Sequence, residues 1–228
     1  MQLLAFMDSA TAGPAPTGWT HTNRVILQAQ GDASMGLVPM LKGNVIPSMG
    51  DLASRLESAE ARFLDVGVGV ASLAIAMCRA FPKLHVVGVD SYELPLSMAR
   101  ENVARAGLEG RIDLVQRTVE TLGEERTFDL AWLPTFFIAE ATLPTATARV
   151  HAALRPGGWI VYPTGSNASG SARQNAVFAL VHHLWGGPAL TVERAESLLK
   201  EAGFKSVRAL PGPAWAPAIL IGQREASS

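Results

Sequence analysis

The chain has 228 residues, 48% of them hydrophobic, and a formal net charge of −1. That suits one sizeable α/β domain with a short extension; without a Lys/Arg run or stripe, the electrostatic footprint of a nucleic-acid binder is missing. A single cysteine, Cys78, offers neither an internal disulfide nor a zinc cluster, no stretch reaches the roughly 18 apolar residues of a membrane span, and the N-terminus lacks a basic leader run, so a soluble cytoplasmic protein is expected.

Residues 1–18 end in the breaker-rich Gly13-Pro14-Ala15-Pro16-Thr17-Gly18 and read as irregular. A helical pattern follows through Val25, Ile26, Leu27 and Ala29. Gly31-Asp32-Ala33-Ser34 reads as a break, with Asp32 or Ser34 capping a second short helix from Met35 to Leu41. Pro47 opens a third helical stretch, about 48–58. Residues 1–60 are therefore expected to form an N-terminal helical extension, either a layer over one sheet edge or a lid on a ligand cleft.

From Arg62 onward, in 61–228, apolar strands alternate with helices. Strands are expected at about 62–67, 85–90, 112–116, 128–133 and 159–162. Helices are expected at about 71–80, 94–106 with Gly107 as C-cap, 145–154 stopped by Pro156-Gly157-Gly158, 169–185, and one capped by Thr191. Such alternation argues a mostly parallel sheet covered on both faces. Two last strands, about 206–210 and 218–223, are joined too tightly for a crossover and should pair antiparallel.

The stretch Arg62–Ser72, R-F-L-D-V-G-V-G-V-A-S, is a strand, a glycine turn and a helix start. That arrangement lets backbone approach a nucleotide at the head of a parallel sheet. A dinucleotide fold wants a third glycine where Ser72 stands, and it places a pyrophosphate on the amides at the helix start. Asp65, two residues before Gly67, would repel that pyrophosphate. It suits a ligand with positive charge and no phosphate, the character of S-adenosylmethionine with its ammonium and sulfonium. Asp90, ending the second strand, has the side chain to take both ribose hydroxyls, as dinucleotide folds also do.

In these residues the chain resembles the class I S-adenosylmethionine-dependent methyltransferases, from about residue 60 to the end. L-D-V-G-V-G is similar to that family's first motif, V-V-G-V-D-S to the acidic end of its second strand, F-D-L-A-W-L-P to its fourth strand, and L-R-P-G-G-W-I-V to the run into its fifth. A-E-S-L-L-K-E-A-G-F-K-S-V resembles the segment before its final hairpin. The resemblance implies an α/β, Rossmann-like, seven-stranded sheet of order 3-2-1-4-5-7-6 with strand 7 antiparallel, and S-adenosylmethionine as cofactor. Two residues depart from the pattern. Ala71 replaces a glycine, and a tight but working turn is expected there. Thr118 stands where an acid often accepts the adenine amino group.

The implied cofactor residues are Asp65, Gly67, Gly69, Asp90, Ser91, Thr118, Val119 and Leu133. The acceptor should lie beyond the fourth strand, where Trp132, Phe136 and Phe137 suit a flat or hydrophobic small molecule, with Trp19 and Met35 closing the pocket. Candidate general bases are His182, His183 and His21, with His151 and Glu140 behind them. Adjacent helical residues point about 100° apart, so at most one of His182 and His183 faces a pocket. With no metal-ligating cluster in the sequence, no metal is expected. Many small-molecule members carry a larger N-terminal dimerisation domain, which leaves a homodimer open. The competing readings are an NAD-dependent oxidoreductase, against which Asp65 and Ser72 speak, and a cofactor-binding scaffold without transfer. The acceptor atom, oxygen, nitrogen or carbon, is not legible.

Overall fold

The computed structural model of the chain describes residues 19, 21–165, 170–212 and 217–226, apart from the side chains of His183 and Leu184. Seven strands form one sheet: β1 Arg62–Val66, β2 His85–Asp90, β3 Ile112–Gln116, β4 Phe128–Trp132, β5 Leu154–Pro163, β6 Lys205–Ala209 and β7 Ile219–Gln223. Their order is β3-β2-β1-β4-β5-β7-β6. All pairings from β3 to β5 are parallel, and β7 runs antiparallel to both β5 and β6. The sheet order and the closing hairpin match the sequence expectation.

Strand residues alternate between two apolar layers because successive side chains leave a strand on opposite faces. Phe63, Val86, Leu130 and Trp132 pack with the helices α2 Ser72–Ala80 and α3 Glu93–Ala106. Leu64, Val66, Val87 and Ala131 pack with α4 Leu143–Ala153 and α6 Val192–Glu201. The helix α5 Ala172–Trp185 lies between β5 and α6 in the chain. Thr191 caps α6, its hydroxyl accepting from Arg194 N at 3.2 Å. Gly107 ends α3 in a left-handed conformation, φ 65°.

The first helical region differs from the sequence reading. One helix, α1 Arg24–Met35, runs straight through Gly31-Asp32-Ala33-Ser34. Asn23 starts it, its side chain accepting from Val25 N and Ile26 N. Gly31 is no breaker. A Cβ there would sit 2.2 Å from Val70 Cγ2 and 2.9 Å from Ser72 Oγ, so glycine lets the helix lie directly on the turn after β1. The expected second and third helices are short turns instead: Val38–Met40, Leu41–Val45, Ile46–Ser48 and Leu52–Arg55. Pro39 and Pro47 sit inside them, each at the second helical position, within the first turn where no intrahelical amide donor is needed. Their Leu41, Ile46, Met49 and Leu52 are buried in the same core as Phe63.

β5 also begins earlier than expected. Pro156-Gly157-Gly158 lies within the strand rather than in a turn, and the β4–β5 register shifts beside it, between Phe128 and Leu130. Gly158 is required there, because a Cβ would come within 3.0 Å of the Phe128 and Arg155 carbonyls.

At the amino-terminal ends of the strands a buried carboxylate, Asp129, gathers several elements. Its Oδ2 accepts from Arg62 N at 3.0 Å and from Arg155 Nη1 at 2.8 Å, and Arg55 Nη1 lies 3.6 Å from Oδ1. Arg55 Nη2 donates to the Gly157 carbonyl, and Arg155 Nη1 also reaches Glu60 O. The opposite end of the sheet is where strand order reverses between β1 and β4 and a crevice opens at the carboxyl ends.

Candidate active site

The turn after β1 is built from left-handed residues. Gly67 has φ 68° and Gly69 φ 55°, which glycine adopts freely. Ala71 also sits in this region, φ 64° and ψ 20°, at the N-cap of α2. The tight turn expected at Ala71 is made at the cost of holding an L-residue in a left-handed well. The turn is fastened to the end of β2. Gly67 N and Val68 N donate to Val89 O at 2.8 and 3.0 Å, and Gly69 N donates to Asp90 Oδ2 at 2.9 Å. Asp90 Oδ1 accepts from Tyr92 N at 3.0 Å. Each Asp90 oxygen thus keeps further acceptor capacity for a hydroxyl.

A cavity of about 430 Å³ opens above this turn. Of the cofactor residues read from the sequence, Asp65, Gly67, Gly69, Asp90, Ser91, Thr118 and Val119 line it together. Leu133 does not. It is fully buried in the apolar layer beneath α4, on the other side from Trp132, which does face the cavity. The alternation of side chains along the chain decides this, and Trp132 and Pro134 border the crevice in its place.

Asp65 is the electrostatic centre of the cavity. It is 2% exposed, and its Oδ2 has no hydrogen-bond partner. Burial, and next the neighbouring Asp90 charge, push its carboxyl up to about 8. Burial also raises Asp90, though backbone donors from Tyr92, Gly69 and Ser91 oppose the rise. An unpartnered buried carboxyl beside a second carboxyl calls for a cationic donor group. An ammonium fits that demand and a phosphate does not.

The acceptor side is aromatic. Trp19, Trp132, Phe136 and Phe137 all border the cavity. Trp19 meets Phe137 edge-on with centroids 5.1 Å apart, and Phe137 meets Phe136 at 4.8 Å. Met35 was expected here and is absent from the wall. Because α1 is continuous, Met35 is its last residue, turned about 100° from Ser34 and left 36% exposed. The helix presents Leu27, Gln30, Gly31 and Ser34 to the cavity instead. These were missed because Gly31 read as a break; at helical spacing 27, 31 and 34 form one face.

Among the described side chains, the candidate bases lie outside the wall. His182 is 1% exposed and stacked flat on Phe136, 5.1 Å between centroids at 9°, so Phe136 stands between it and the cavity. Burial lowers it to about 4, and its Nδ1 has no partner. His183 is in α5, but its side chain lies outside the described residues. His21 packs edge-on against Trp19, 4.4 Å between centroids, and partial burial lowers its pKa. His151 packs on Phe204 far along the chain's last layer, and Glu140 starts the turn Glu140–Thr142. Tyr92, Arg117 and Glu120 border the cavity and were not singled out in the sequence; none carries a motif of its own. Among the described residues no group of three or more His, Cys, Asp or Glu is placed to hold a metal ion.

Comparison with known proteins agrees with this geometry. Residues 63–158 match a family model described as a methyltransferase domain. A malonyl-[acyl-carrier protein] O-methyltransferase from Priestia megaterium is 26% identical over 118 residues, 52% of this chain and 42% of that protein. The chain thus spans well under half the length of this curated relative. Among solved structures, an O-methyltransferase family protein from Burkholderia thailandensis superposes with a TM-score of 0.69 at 17% identity, over 89% of this chain and 60% of that one. Human N-acetylserotonin methyltransferase, solved in complex with S-adenosylmethionine, superposes with a TM-score of 0.61 at 16% identity, over 99% of this chain and 66% of that one.

Proposed function

We propose, on the premise that residues 63–158 form a methyltransferase domain of the class I S-adenosylmethionine-dependent family, that this protein methylates a small, flat or hydrophobic acceptor. The observation that carries the reading is the unpartnered Oδ2 of Asp65 in a cavity shared with Asp90. The bound cofactor would supply an activated methyl group on a sulfonium. The chain's own residues then have three tasks. Asp65 would take the cofactor's ammonium, and Asp90 its ribose hydroxyls. Thr118, Val119 and Glu120 would border the adenine. The aromatic wall of Trp19, Trp132, Phe136 and Phe137 would orient the acceptor in line with the methyl group and exclude water.

Among the described side chains, this division leaves no histidine at the reacting atoms. Acceptor positioning would therefore do most of the work, with little help from a general base. The fourth strand runs into Trp132-Leu133-Pro134-Thr135, an apolar approach that lacks polar groups for gripping a nucleobase or peptide nitrogen. Calorimetric titration with S-adenosylhomocysteine and, separately, with NAD tests the reading. Binding of S-adenosylhomocysteine with no heat from NAD is expected; binding of NAD alone would sink it and favour an oxidoreductase.

A further inference from the structure

Val70 ties the glycine turn to elements outside it. It is buried, and it belongs with Leu27 of α1 and Met98 of α3 to a small apolar cluster separate from the two main layers. Its carbonyl accepts from Asn102 Nδ2 of α3 at 2.9 Å. The same Nδ2 lies 3.1 Å from Gln28 Oε1 of α1. On the opposite side Gly31 brings the α1 backbone so near that a Cβ would be 2.2 Å from Val70 Cγ2. Arg24 Nη2, which donates to both Glu101 carboxylate oxygens at 3.0 Å, also links α1 to α3, but the pair is exposed and contributes little.

We propose that Asn102 is a positioning residue for cofactor binding: with Gly31 it clamps Val70, and so fixes the glycine turn in the conformation that receives the cofactor. The proposal rests on the methyltransferase reading of the cavity. The turn needs such a clamp because it holds three left-handed positions within five residues, at 67, 69 and 71, one of them a strained alanine. The clamp has two independent faces. Asn102 fixes the main chain through one hydrogen bond, and Gly31 fixes the side chain through close packing. Asn102 also carries α1 with it through Gln28, so the wall that α1 contributes and the turn are held in one register. No atom of Asn102 borders the cavity; its action on the cofactor passes through Val70.

Asn102→Asp removes the donor to Val70 at nearly constant shape, while Gln28 can turn its amide to meet the new carboxylate. Gly31→Ala disturbs the other face. Val103→Ala, a truncation of a buried neighbour on α3 that does not touch Val70, is the control for general loosening. Each is titrated with S-adenosylhomocysteine well below its melting temperature. Expected are affinity losses of about tenfold or more for N102D and for G31A, with V103A within about twofold of the parent despite a lower melting temperature. Should N102D fail to fold, Asn102→Ser against V103A carries the same comparison, since Asn102 does not border the cavity. Parent-like affinity in N102D, or an equal loss in V103A, overturns the clamp. Failure of the parent itself to bind overturns the methyltransferase reading instead.

Discussion

Asp65 titrates where few carboxyls do. With the group pushed up to about 8 by burial and by Asp90, the folded chain alone holds it protonated at pH 6.5, whereas an unfolded chain would have it ionised. The sign follows. A raised carboxyl pKa favours folding below its folded value and withdraws that benefit as pH climbs from about 4 to about 8. A cofactor ammonium reverses the balance, because it pairs only with the ionised form. Binding at pH 6.5 is therefore expected to release about one proton, and affinity to rise up to tenfold per pH unit below 8. Titrations in buffers of different ionisation enthalpy measure the proton directly. Asp65→Asn should abolish the release; a release that persists in this variant would assign it elsewhere. Ala71 makes a second statement at this scale. Its φ of 64° tolerates a methyl but not a β-branch, and the site is fully buried. Ala71→Val is expected to destabilise the protein by more than about 2 kcal/mol in urea unfolding, from dihedral strain and overpacking together.

At the scale of elements, α5 and α1 carry the acceptor wall in different ways. α5 sends His182 behind Phe136, where burial holds the imidazole neutral through the physiological range. If its task is to brace Phe136, then His182→Phe should keep kcat within about fivefold and leave the pH–rate profile unmoved above pH 5. A general base in that position would instead cost about 10²–10⁴-fold. α1 shows what the sequence could not disclose. The alternation of apolar strands and helices made a mostly parallel sheet and its closing hairpin legible, because each strand's burial on two faces is written in its own residues, whereas the strand order was implied only by the resemblance of its motifs to a family. The glycine turn and its two acids were legible for the same reason: Gly67, Gly69, Asp65 and Asp90 act where their local sequence puts them. Gly31 acts through residues some forty positions later, Val70 and Ser72, and a glycine that permits contact reads like a glycine that breaks a helix. Leu133 and Met35 were misplaced by one step of strand alternation and about 100° of helix rotation, quantities that depend on where an element begins.

In the whole molecule the two ends of the sheet divide the labour. The carboxyl ends carry strain and uncompensated charge: Ala71, Asp65 and Asp90. The amino ends carry the compensated charge of Asp129, which ties β1, β4 and β5 to the turn that contains Arg55. The two arginines there are a quarter to a third exposed while Asp129 is 4% exposed, so the carboxylate is the member that cannot do without partners. Removing it leaves Arg62 N without its acceptor and takes the buried anion away from Arg55 and Arg155, which keep the Gly157 and Glu60 carbonyls; replacing it by Asn keeps an acceptor and loses the charge. Asp129→Ala is expected to destabilise by about 3–5 kcal/mol, and Asp129→Asn by less, as midpoint shifts in urea denaturation. Such a loss is a large fraction of a typical domain's stability. Yet the cluster lies at the far end of the strands from the cavity, so S-adenosylhomocysteine affinity measured well below the midpoint should stay within about twofold of the parent. Saturating ligand, at about 100 times Kd, should then return about 2.7 kcal/mol of the lost stability to Asp129→Ala by mass action alone. A weakened affinity in Asp129→Ala would show instead that the two ends of the sheet are coupled.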